Sequence, residues 1–260
     1  ISVNASPIQA AELLSDRLWG SCYGAVLTSA TLKALGNFET LKRETGVPDF
    51  ASFMSVAGAF NYGEAAVIRV PADAVEGNSV DAHSSYIVDN FPGLIEKRCG
   101  TLVLFSSKRQ MEQVFEELDR DLQKEIIMQG QFSNREMVRL HKERVDQGRT
   151  SVLMGLASFA EGVDLPGDYC RHVVIAKLPF AVPDDPLHEA LSEWVEARGG
   201  NSFFDISLPI ASLRLIQACG RLLRTESDTG TVTILDKRLI TKRYGGQLLN
   251  ALPPFRREIG

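Results

Sequence analysis

The chain has 260 residues, 44% of them hydrophobic, and a formal net charge of -5 at pH 7. A chain of this length can bury a sizeable core and lies slightly above the usual length of a single domain. The acidic balance excludes non-specific electrostatic attachment to nucleic acid or anionic lipid, so contact with such partners needs a local basic or polar edge. The sequence has no long apolar run and no basic-then-apolar amino terminus, which predicts a soluble, cytoplasmic protein without membrane contact.

Apolar runs rich in β-formers alternate along the chain with helical patterns. The predicted strands are Ala25–Thr28, Val67–Val70, Thr101–Phe105, Glu125–Met128, Ser151–Gly155, His172–Ala176 and Thr231–Leu235. The predicted helices are Lys108–Arg120, Asn134–Gln147, Pro186–Ala197 and Pro209–Leu223. The polar part from Asn61 to Ser85 could hold either a loop insertion or an extra hairpin. The alternation predicts an α/β fold, a mostly parallel sheet with helices on both faces.

Two helix starts carry local signals. Ser133, with Glu136 three residues later, forms a capping box for the second predicted helix. Asp185 and Pro186 give the third helix an N-cap and a proline in its first turn.

The segment QACGRLLR places Gln217, Arg221 and Arg224 at helical spacings of four and three. These spacings predict that the carboxamide and both guanidinium groups share one helix face. Paired guanidinium groups suit the charge that builds on a transferring phosphoryl group, because their donors are fixed and they stay protonated. An amphipathic helix with solvated arginines would give the same spacing.

Upstream, an apolar strand runs into a loop that carries Glu161, Gly162, Asp164 and Gly167. Acidic side chains and glycines at the carboxyl end of a strand often form a ligand edge in an open α/β sheet. For Glu161, simple capping of a helix is an equally open interpretation.

Taken in order, VLTSATL (26–32), TLVLFSSKR (101–109), FAEGVDLPG (159–167) and QACGRLLR (217–224) resemble helicase motifs III, IV, V and VI. The string LDKRLITKRYG (235–245), which follows, adds to the specificity of the match. The pattern resembles the DinG/YoaA branch of the XPD-like superfamily 2 DNA helicases over nearly the whole chain. TSATL lacks the central glycine typical of eukaryotic XPD-like proteins, which favours the bacterial type. The resemblance implies a RecA-like helicase lobe.

The resemblance also implies roles for the two strings. Arg221 and Arg224 would be catalytic, reaching the γ-phosphate of ATP held by the other motor lobe, and Gln217 would help to position that phosphate or the attacking water. The implied set for ATP binding and coupling is Glu161, Gly162, Asp164 and Gly220.

For DNA, Ser106, Ser107 and Lys108 end the third predicted strand at the position of motif IV. Hydroxyls, backbone amides and an ammonium group can hold phosphates there without reading sequence. The residues expected to extend this edge are Gln129, Ser158 and Lys177. For any one of these residues an ordinary strand end is nearly as good an explanation, and their clustering after successive strands is the better argument.

Two sequence features of a complete motor of this type are missing. The chain contains no GxxxxGK(S/T) phosphate loop and no Asp-Glu dipeptide. We therefore expect a carboxyl-terminal half, with residues 1–22 as a connector from a first motor lobe and residues 23–260 as the second RecA-like domain. ATP and Mg²⁺ would be held mainly by the first lobe.

The cysteines bear on metal binding, because XPD-like helicases often carry an iron–sulfur cluster. Cys22, Cys99, Cys170 and Cys219 are far apart and form no CxxC pair. We predict reduced thiols and no metal site in this chain, although the parent protein could hold a cluster elsewhere.

The resemblance thus predicts the second lobe of an ATP-dependent 5′-to-3′ DNA helicase of DNA repair or replication stress, with single-stranded DNA and its own first lobe as partners. The isolated fragment is expected to be inactive. The alternative is a non-catalytic module that docks a clamp-loader accessory subunit or a single-strand-binding protein. Paired arginines beside a carboxylate loop favour the motor.

Overall fold

A computed structural model describes residues 7–160, 162–181 and 186–260. The chain divides into two compact units. One, the small unit, comprises residues 1–58 and 180–213, and the other, the sheet unit, comprises residues 59–179 and 214–260.

The sheet unit is built on seven strands that pair only in parallel. They are β1 (Ala66–Val70), β2 (Gly100–Phe105), β3 (Ile126–Met128), β4 (Ser151–Leu156), β5 (His172–Ile175), β6 (Gly230–Ile234) and β7 (Arg256–Ile259). The spatial order is β3-β4-β2-β5-β6-β1-β7. In the centre, Phe105 of β2 pairs with Leu156 of β4, and Leu104 pairs with Ile175 of β5. The predicted α/β fold is confirmed.

The helices connect these strands and also build the small unit. They are α1 (Ala11–Leu14), α2 (Glu39–Thr45), α3 (Tyr62–Ala65), α4 (Val80–Asn90), α5 (Lys108–Glu117), α6 (Arg120–Glu125), α7 (Asn134–Asp146), α8 (Ala157–Ala160), α9 (Pro186–Glu196), α10 (Leu208–Cys219), α11 (Arg238–Thr241) and α12 (Gly245–Ala251). Single π-helical or 3₁₀ turns lie at Ser15–Trp19, Phe91–Leu94, Gly167–Tyr169 and Phe203–Ser207. Within the described residues, no helix combines the length and the apolar character needed to cross a membrane.

The core explains why the central strands are nearly continuous apolar runs. All six residues of β2 are buried, because neighbouring side chains point to opposite faces and both faces are covered. Val103 and Phe105 join a cluster with Met111 and Val114 of α5, whereas Leu102 and Leu104 are buried on the other face.

Ser133 caps α7 as predicted, because its Oγ accepts a hydrogen bond from the amide of Glu136 at 3.3 Å. The carboxylate of Glu136 bonds Arg139 instead, at 2.6 Å and 2.9 Å. Asp185, the predicted N-cap of α9, lies outside the described residues.

The strand predicted at Ala25–Thr28 is wrong. These residues form no ladder, and the side chain of Val26 is 91% exposed. The described part of the small unit offers no strand with which they could pair. The apolar run alone was a poor guide, because a strand also needs a neighbour for its backbone groups.

The sequence analysis missed several elements of the sheet unit, among them α4 and β7. The polar part from Asn61 to Ser85, expected to be a loop insertion or a hairpin, contains the predicted strand β1. It also contains the start of α4, which was not predicted. α4 buries His83 and Ser84, so its inner face is partly polar and the apolar period is broken. All four residues of β7 are exposed and three of them are charged, and only the pairing with β1 defines β7 as a strand.

In the small unit, side chains bond backbone carbonyls and amides that are distant in sequence. The indole of Trp19 donates to the carbonyl of Thr45 at 2.7 Å, and the Ser212 hydroxyl accepts from the amide of Leu35 at 3.2 Å. The rings of Phe38 and Phe53 lie 5.0 Å apart. These contacts hold the irregular segments of the unit to its short helices.

Candidate functional site

Arg221 and Arg224 converge on one backbone oxygen in the loop that follows β4. Arg221 donates to the carbonyl of Val163 at 3.1 Å, and Arg224 donates to the same oxygen at 3.2 Å. Two guanidinium groups on one acceptor must lie close together despite their mutual repulsion. Both arginines therefore contact the loop that follows β4.

The predicted single helix face is wrong, because α10 ends at Cys219, just before the arginines. Beyond this point the bonds shorten to the i→i−3 type, from the amide of Arg221 to Ala218 at 3.1 Å and from Leu222 to Cys219 at 3.2 Å. Gln217 stays on the helix and is half-buried. The arginines thus lie on a turn.

The turn is anchored by its leucines. Leu222 is fully buried and Leu223 is 6% exposed, and both contribute to the core. Their burial fixes the backbone between Arg221 and Arg224, so the two polar side chains are left at the surface beside the loop after β4.

The loop after β4 also supplies a carboxylate. Asp164 Oδ1 lies 3.2 Å from Arg224 Nε, and the side chains are 74% and 31% exposed. An ion pair this exposed contributes little stability, so its effect is to orient the guanidinium group. Gly162 is exposed, with open space around its Cα, and Glu161 lies outside the described residues.

Asp228 joins the arginine turn to the same loop, and the sequence analysis missed it. It is 4% exposed and accepts four hydrogen bonds. Oδ2 accepts from the amides of Arg224 at 2.7 Å and Thr225 at 2.9 Å. Oδ1 accepts from the amide of Gly167 at 3.1 Å and from Thr225 Oγ1 at 2.5 Å. We call Arg221, Arg224, Val163, Asp164 and Asp228 the arginine cluster.

Burial would raise the pKa of Asp228, but the hydrogen bonds from Thr225, Arg224 and Gly167 outweigh it and lower that pKa below its usual value. The carboxylate is therefore charged at neutral pH. A sequence signal existed in TESDTG, because an Asp just after Thr and Ser commonly bonds its own turn.

The predicted DNA-contacting residues lie at the carboxyl ends of four neighbouring strands. Gln129 follows β3, Ser158 lies in α8 after β4, Ser106 to Lys108 follow β2, and Lys177 follows β5. Because all strands are parallel, these ends meet at one edge of the sheet. We call Ser106, Ser107, Lys108, Gln129, Ser158 and Lys177 the strand-end edge.

The members of this edge differ in how far they are engaged. Ser107 caps α5 by accepting from the amide of Gln110 at 3.4 Å. The side chain of Lys108 is 69% exposed and lies 3.5 Å from Glu112. Gln129 extends the ladder, since its Oε1 accepts from the amide of Leu156 at 2.7 Å. The Oε1 of Gln129 is thus structural, whereas Lys108 and Ser158 face solvent.

Lys177 lies beside a second buried carboxylate. Asp236, fully buried, accepts from the amides of Gly77 and Leu178 at 3.1 Å and from Arg238 at 2.6 Å. Burial would raise the pKa of Asp236, but the bonds and charge of Arg238 lower it overall. Burial, with the charge of Arg238, lowers the pKa of Lys177. Asp236 thus ties together the loops that follow β1, β5 and β6.

A buried polar link runs beneath the edge. Gln110 of α5 bonds His83 of α4 at 2.9 Å, and the other ring nitrogen of His83 contacts the carbonyl of Leu235 at 3.1 Å. Burial lowers the pKa of His83, so the ring is neutral and donates to that carbonyl. The link fixes the start of α5 relative to the end of β6.

The described residues hold no group of three or more histidine, cysteine or acidic side chains placed to bind a metal ion. Burial raises the pKa of Cys170 and of Cys219 to about 12. Cys22 and Cys99 are half-buried and form no disulfide. The absence of a metal site in the whole chain stays a prediction.

Comparison with known proteins identifies the family. Residues 94–255 match the helicase C-terminal domain family, which is more than half of the chain. The chain is 41% identical, over 99% of its length, to the ATP-dependent DNA helicase DinG of Photobacterium profundum, and 39% identical over 95% to that of Escherichia coli. It spans only 38% and 35% of these two relatives.

Solved structures support the same fold. An XPD helicase matches with a TM-score of 0.54 at 19% identity, covering 75% of this chain and 36% of that one. S. tokodaii Xpd4 matches with a TM-score of 0.55 at 16% identity, covering 86% and 43%. The RecA-like lobe implied by the sequence motifs is confirmed. The chain belongs to the helicase C-terminal domain family, and it is similar to part of the DinG helicases.

Proposed function

We propose that this chain is the second motor lobe of an ATP-dependent DNA helicase, and that it supplies arginine fingers for ATP hydrolysis. The main support is that Arg221 and Arg224 both contact the loop after β4. The chain in which they do so belongs to the helicase C-terminal domain family. Its relatives are named ATP-dependent DNA helicases.

The arginine cluster has the chemistry that a γ-phosphate requires. Each guanidinium presents several fixed donors. Both donate to a neutral carbonyl, and Arg224 also pairs with an exposed carboxylate. Such contacts are weak enough to be exchanged for phosphate oxygens. Gln217, half-buried on α10 just before the turn, would orient the phosphate or the water.

ATP with Mg²⁺ supplies the phosphoryl group that is transferred to water. The charge that spreads over this group during transfer is stabilised by rigid, permanently protonated donors. Arg221 and Arg224 would provide them, Asp164 would orient Arg224, and Glu161, Gly162 and Gly220 would couple the loop and the turn to the nucleotide. The nucleotide itself would be held mainly by the first motor lobe.

The strand-end edge would grip single-stranded DNA through its backbone. Lys108 contributes an exposed ammonium group, and Ser106, Ser107 and Ser158 contribute hydroxyl or backbone groups, which suits phosphates and reads no bases. Lys177 and Gln129 would extend this grip. In a chain with a net charge of -5, such a contact must be local.

The remaining parts of the proposal follow from the resemblance to DinG and XPD-like helicases. They are 5′-to-3′ movement, a role in DNA repair or replication stress, and an iron–sulfur cluster outside this chain if the parent protein has one. We propose a location in the bacterial cytoplasm, because the chromosome of the bacteria that contain its relatives lies there. Residues 1–22 would connect the two lobes, and residues 23–260 would form the second.

One observation favours the docking alternative as an additional function. In the small unit, Phe50, Met54 and Val56 are 89%, 81% and 77% exposed and lie close together in sequence. Exposed apolar groups of this kind often mark protein interfaces. A clamp-loader accessory subunit or single-strand-binding protein could dock there. Changing all three to serine should then abolish binding of that purified partner and leave ATP hydrolysis intact.

The motor proposal is tested in the complete helicase that contains this chain. DNA-stimulated ATP hydrolysis and strand separation are measured for the unchanged protein and for Arg224→Ala and Arg224→Lys. Lysine keeps the charge but loses the planar fork, so it should not restore the rate. Near-normal hydrolysis in both variants would refute the arginine-finger role.

A further inference from the structure

We infer that Asp228 is a positioning residue for ATP hydrolysis, which holds the arginine turn against the loop after β4 and so sets where Arg224 points. The inference rests on the proposed function of the arginines. It concerns a residue that touches neither nucleotide nor water and acts through its neighbours.

The two oxygens of Asp228 face different partners. Oδ2 serves the arginine turn, through the amides of Arg224 and Thr225. Oδ1 reaches the amide of Gly167, at the far end of the loop after β4, and also accepts from the Thr225 hydroxyl. The carboxylate therefore bridges the arginine turn and the loop after β4, which are distant in sequence.

The bridge is paired with a second contact between the same two segments. The side chain of Arg224 bonds Val163 and Asp164 at the near end of the loop, while its own amide bonds Asp228. The turn is thus held to the near end of the loop by the arginine side chains and to its far end by Asp228. We expect the direction of the Arg224 guanidinium group to depend on both.

Only a carboxylate satisfies all four donors. An ionised Asp has two acceptor oxygens and no donor, and at 4% exposure water does not compete for them. Gly167 has a φ of +62°, a left-handed conformation that turns its amide toward Asp228. The shape of the loop end and the bridge therefore depend on each other.

Asp228→Asn in the complete helicase is the sharpest test, because it keeps the volume and removes the bridge. The asparagine has one acceptor oxygen, and its amino group must face either Gly167 or the amides of Arg224 and Thr225. In both orientations one side of the bridge is lost. We expect kcat for DNA-stimulated ATP hydrolysis to fall about 100-fold, as for a misplaced catalytic group. KM for ATP and affinity for single-stranded DNA should change less than about threefold.

The double variant Asp228→Asn with Arg224→Ala separates positioning from an independent effect. If Asp228 acts through Arg224, the double variant is no slower than Arg224→Ala alone. If the two losses multiply, the inference is overturned. A folded Asp228→Asn protein with a kcat within about threefold of the unchanged enzyme also overturns it.

Two further variants guard against a general loss of fold. Tyr86→Phe removes a hydrogen bond to Asp73, between α4 and the loop after β1, so it should lower stability and leave kcat unchanged. Thr225→Val removes one donor to Asp228 and should lower kcat about fivefold. Should Asp228→Asn not fold, an unchanged kcat in Thr225→Val decides against the inference.

The inference and the proposed function fail differently. Normal hydrolysis by Arg224→Ala removes the arginine fingers, and with them the proposed function. Impaired hydrolysis by Arg224→Ala together with normal hydrolysis by Asp228→Asn removes only the positioning role.

Discussion

The arginine cluster and the strand-end edge both lie in the sheet unit, but they are held in opposite ways. In the arginine cluster a buried carboxylate fixes the backbone, and two guanidinium groups share one carbonyl. In the strand-end edge, Lys108 is 69% exposed and its ion pair is a weak 3.5 Å contact. The arginine turn is fixed by a buried carboxylate, whereas Lys108 of the strand-end edge is free to adapt.

The difference matches what each site is proposed to do. A phosphoryl group in transfer has one geometry, so donors that need no rearrangement stabilise it best. A DNA backbone moves along a motor and must be released after each step. Mobile, solvated donors suit such a ligand, because each contact is individually weak. We therefore expect the rigidity of the arginine turn and the mobility of Lys108 each to serve the proposed function.

The largest expected effect separates the two sites in the isolated chain. We predict that the 260-residue chain alone hydrolyses no ATP above background, because its sequence lacks both the phosphate loop and an Asp-Glu dipeptide. The strand-end edge should still bind single-stranded DNA weakly. Phosphate release and DNA-binding assays on the same preparation provide the check. Hydrolysis that disappears in an Arg224→Ala version of the chain would contradict the prediction.

The next effect belongs to the arginine cluster in the complete helicase. Arg221→Ala or Arg224→Ala should each lower DNA-stimulated ATP hydrolysis by about a thousandfold, the usual contribution of an arginine finger. Nucleotide affinity should change much less, since the fingers act on charge that develops during transfer. Steady-state kinetics with a nucleotide-binding titration would measure both.

Arg139→Ala is the matched control for the arginine changes. Arg139 is half-exposed on α7 and pairs with Glu136 and Glu143, so its removal costs a surface ion pair and no more. Its kcat should equal that of the unchanged enzyme. A comparable loss in Arg139→Ala would show that removing any arginine harms the protein.

Buried strands could be predicted from the sequence, whereas the exposed strand and tertiary contacts could not. Strands such as Ser151–Leu156 were predicted within a residue, because burial on both faces makes them continuous apolar runs. The charged edge strand Arg256–Ile259 carries no such pattern and was missed. The arginines were recognised from their motif, but helical spacing was extended past Cys219, where packing of Leu222 and Leu223 ends the helix. Asp228 was missed as a bridge because its bond to Gly167, 61 residues away, is set by tertiary structure.

Acidification should destabilise the sheet unit through two buried histidines. Burial lowers the pKa of His141 and of His172 to about 4, so the folded chain binds their protons less readily than the unfolded chain. Stability should therefore fall as pH drops below about 6.5, by about 2 kcal/mol for each histidine at pH 5. Asp228 and Asp236, whose pKa values are lowered, keep their contribution over this range.

Urea unfolding of the chain at pH 7 and pH 5 measures this loss. ATP hydrolysis and DNA binding by the complete helicase should decline together as this lobe unfolds, unlike in the arginine variants. His141→Gln should be less stable at pH 7 but lose less stability on acidification, because it has no proton to gain. Equal stability at the two pH values would show that the histidines are not held neutral.

The smallest effect concerns the strand-end edge. Lys108→Ala in the complete helicase should weaken binding to all single-stranded sequences alike, because the ammonium group contacts phosphate and no base. Each phosphate contact releases counterions, so the slope of log affinity against log salt should flatten by about one unit or less. Hydrolysis at saturating DNA should survive, since the arginine cluster is intact. Lys124→Ala is the matched control, because Lys124 is 72% exposed and forms an i,i+3 pair with Asp121 on α6. If Lys108→Ala changes the preference between sequences, or if both lysine variants shift the slope equally, the strand-end edge does not grip phosphates as proposed.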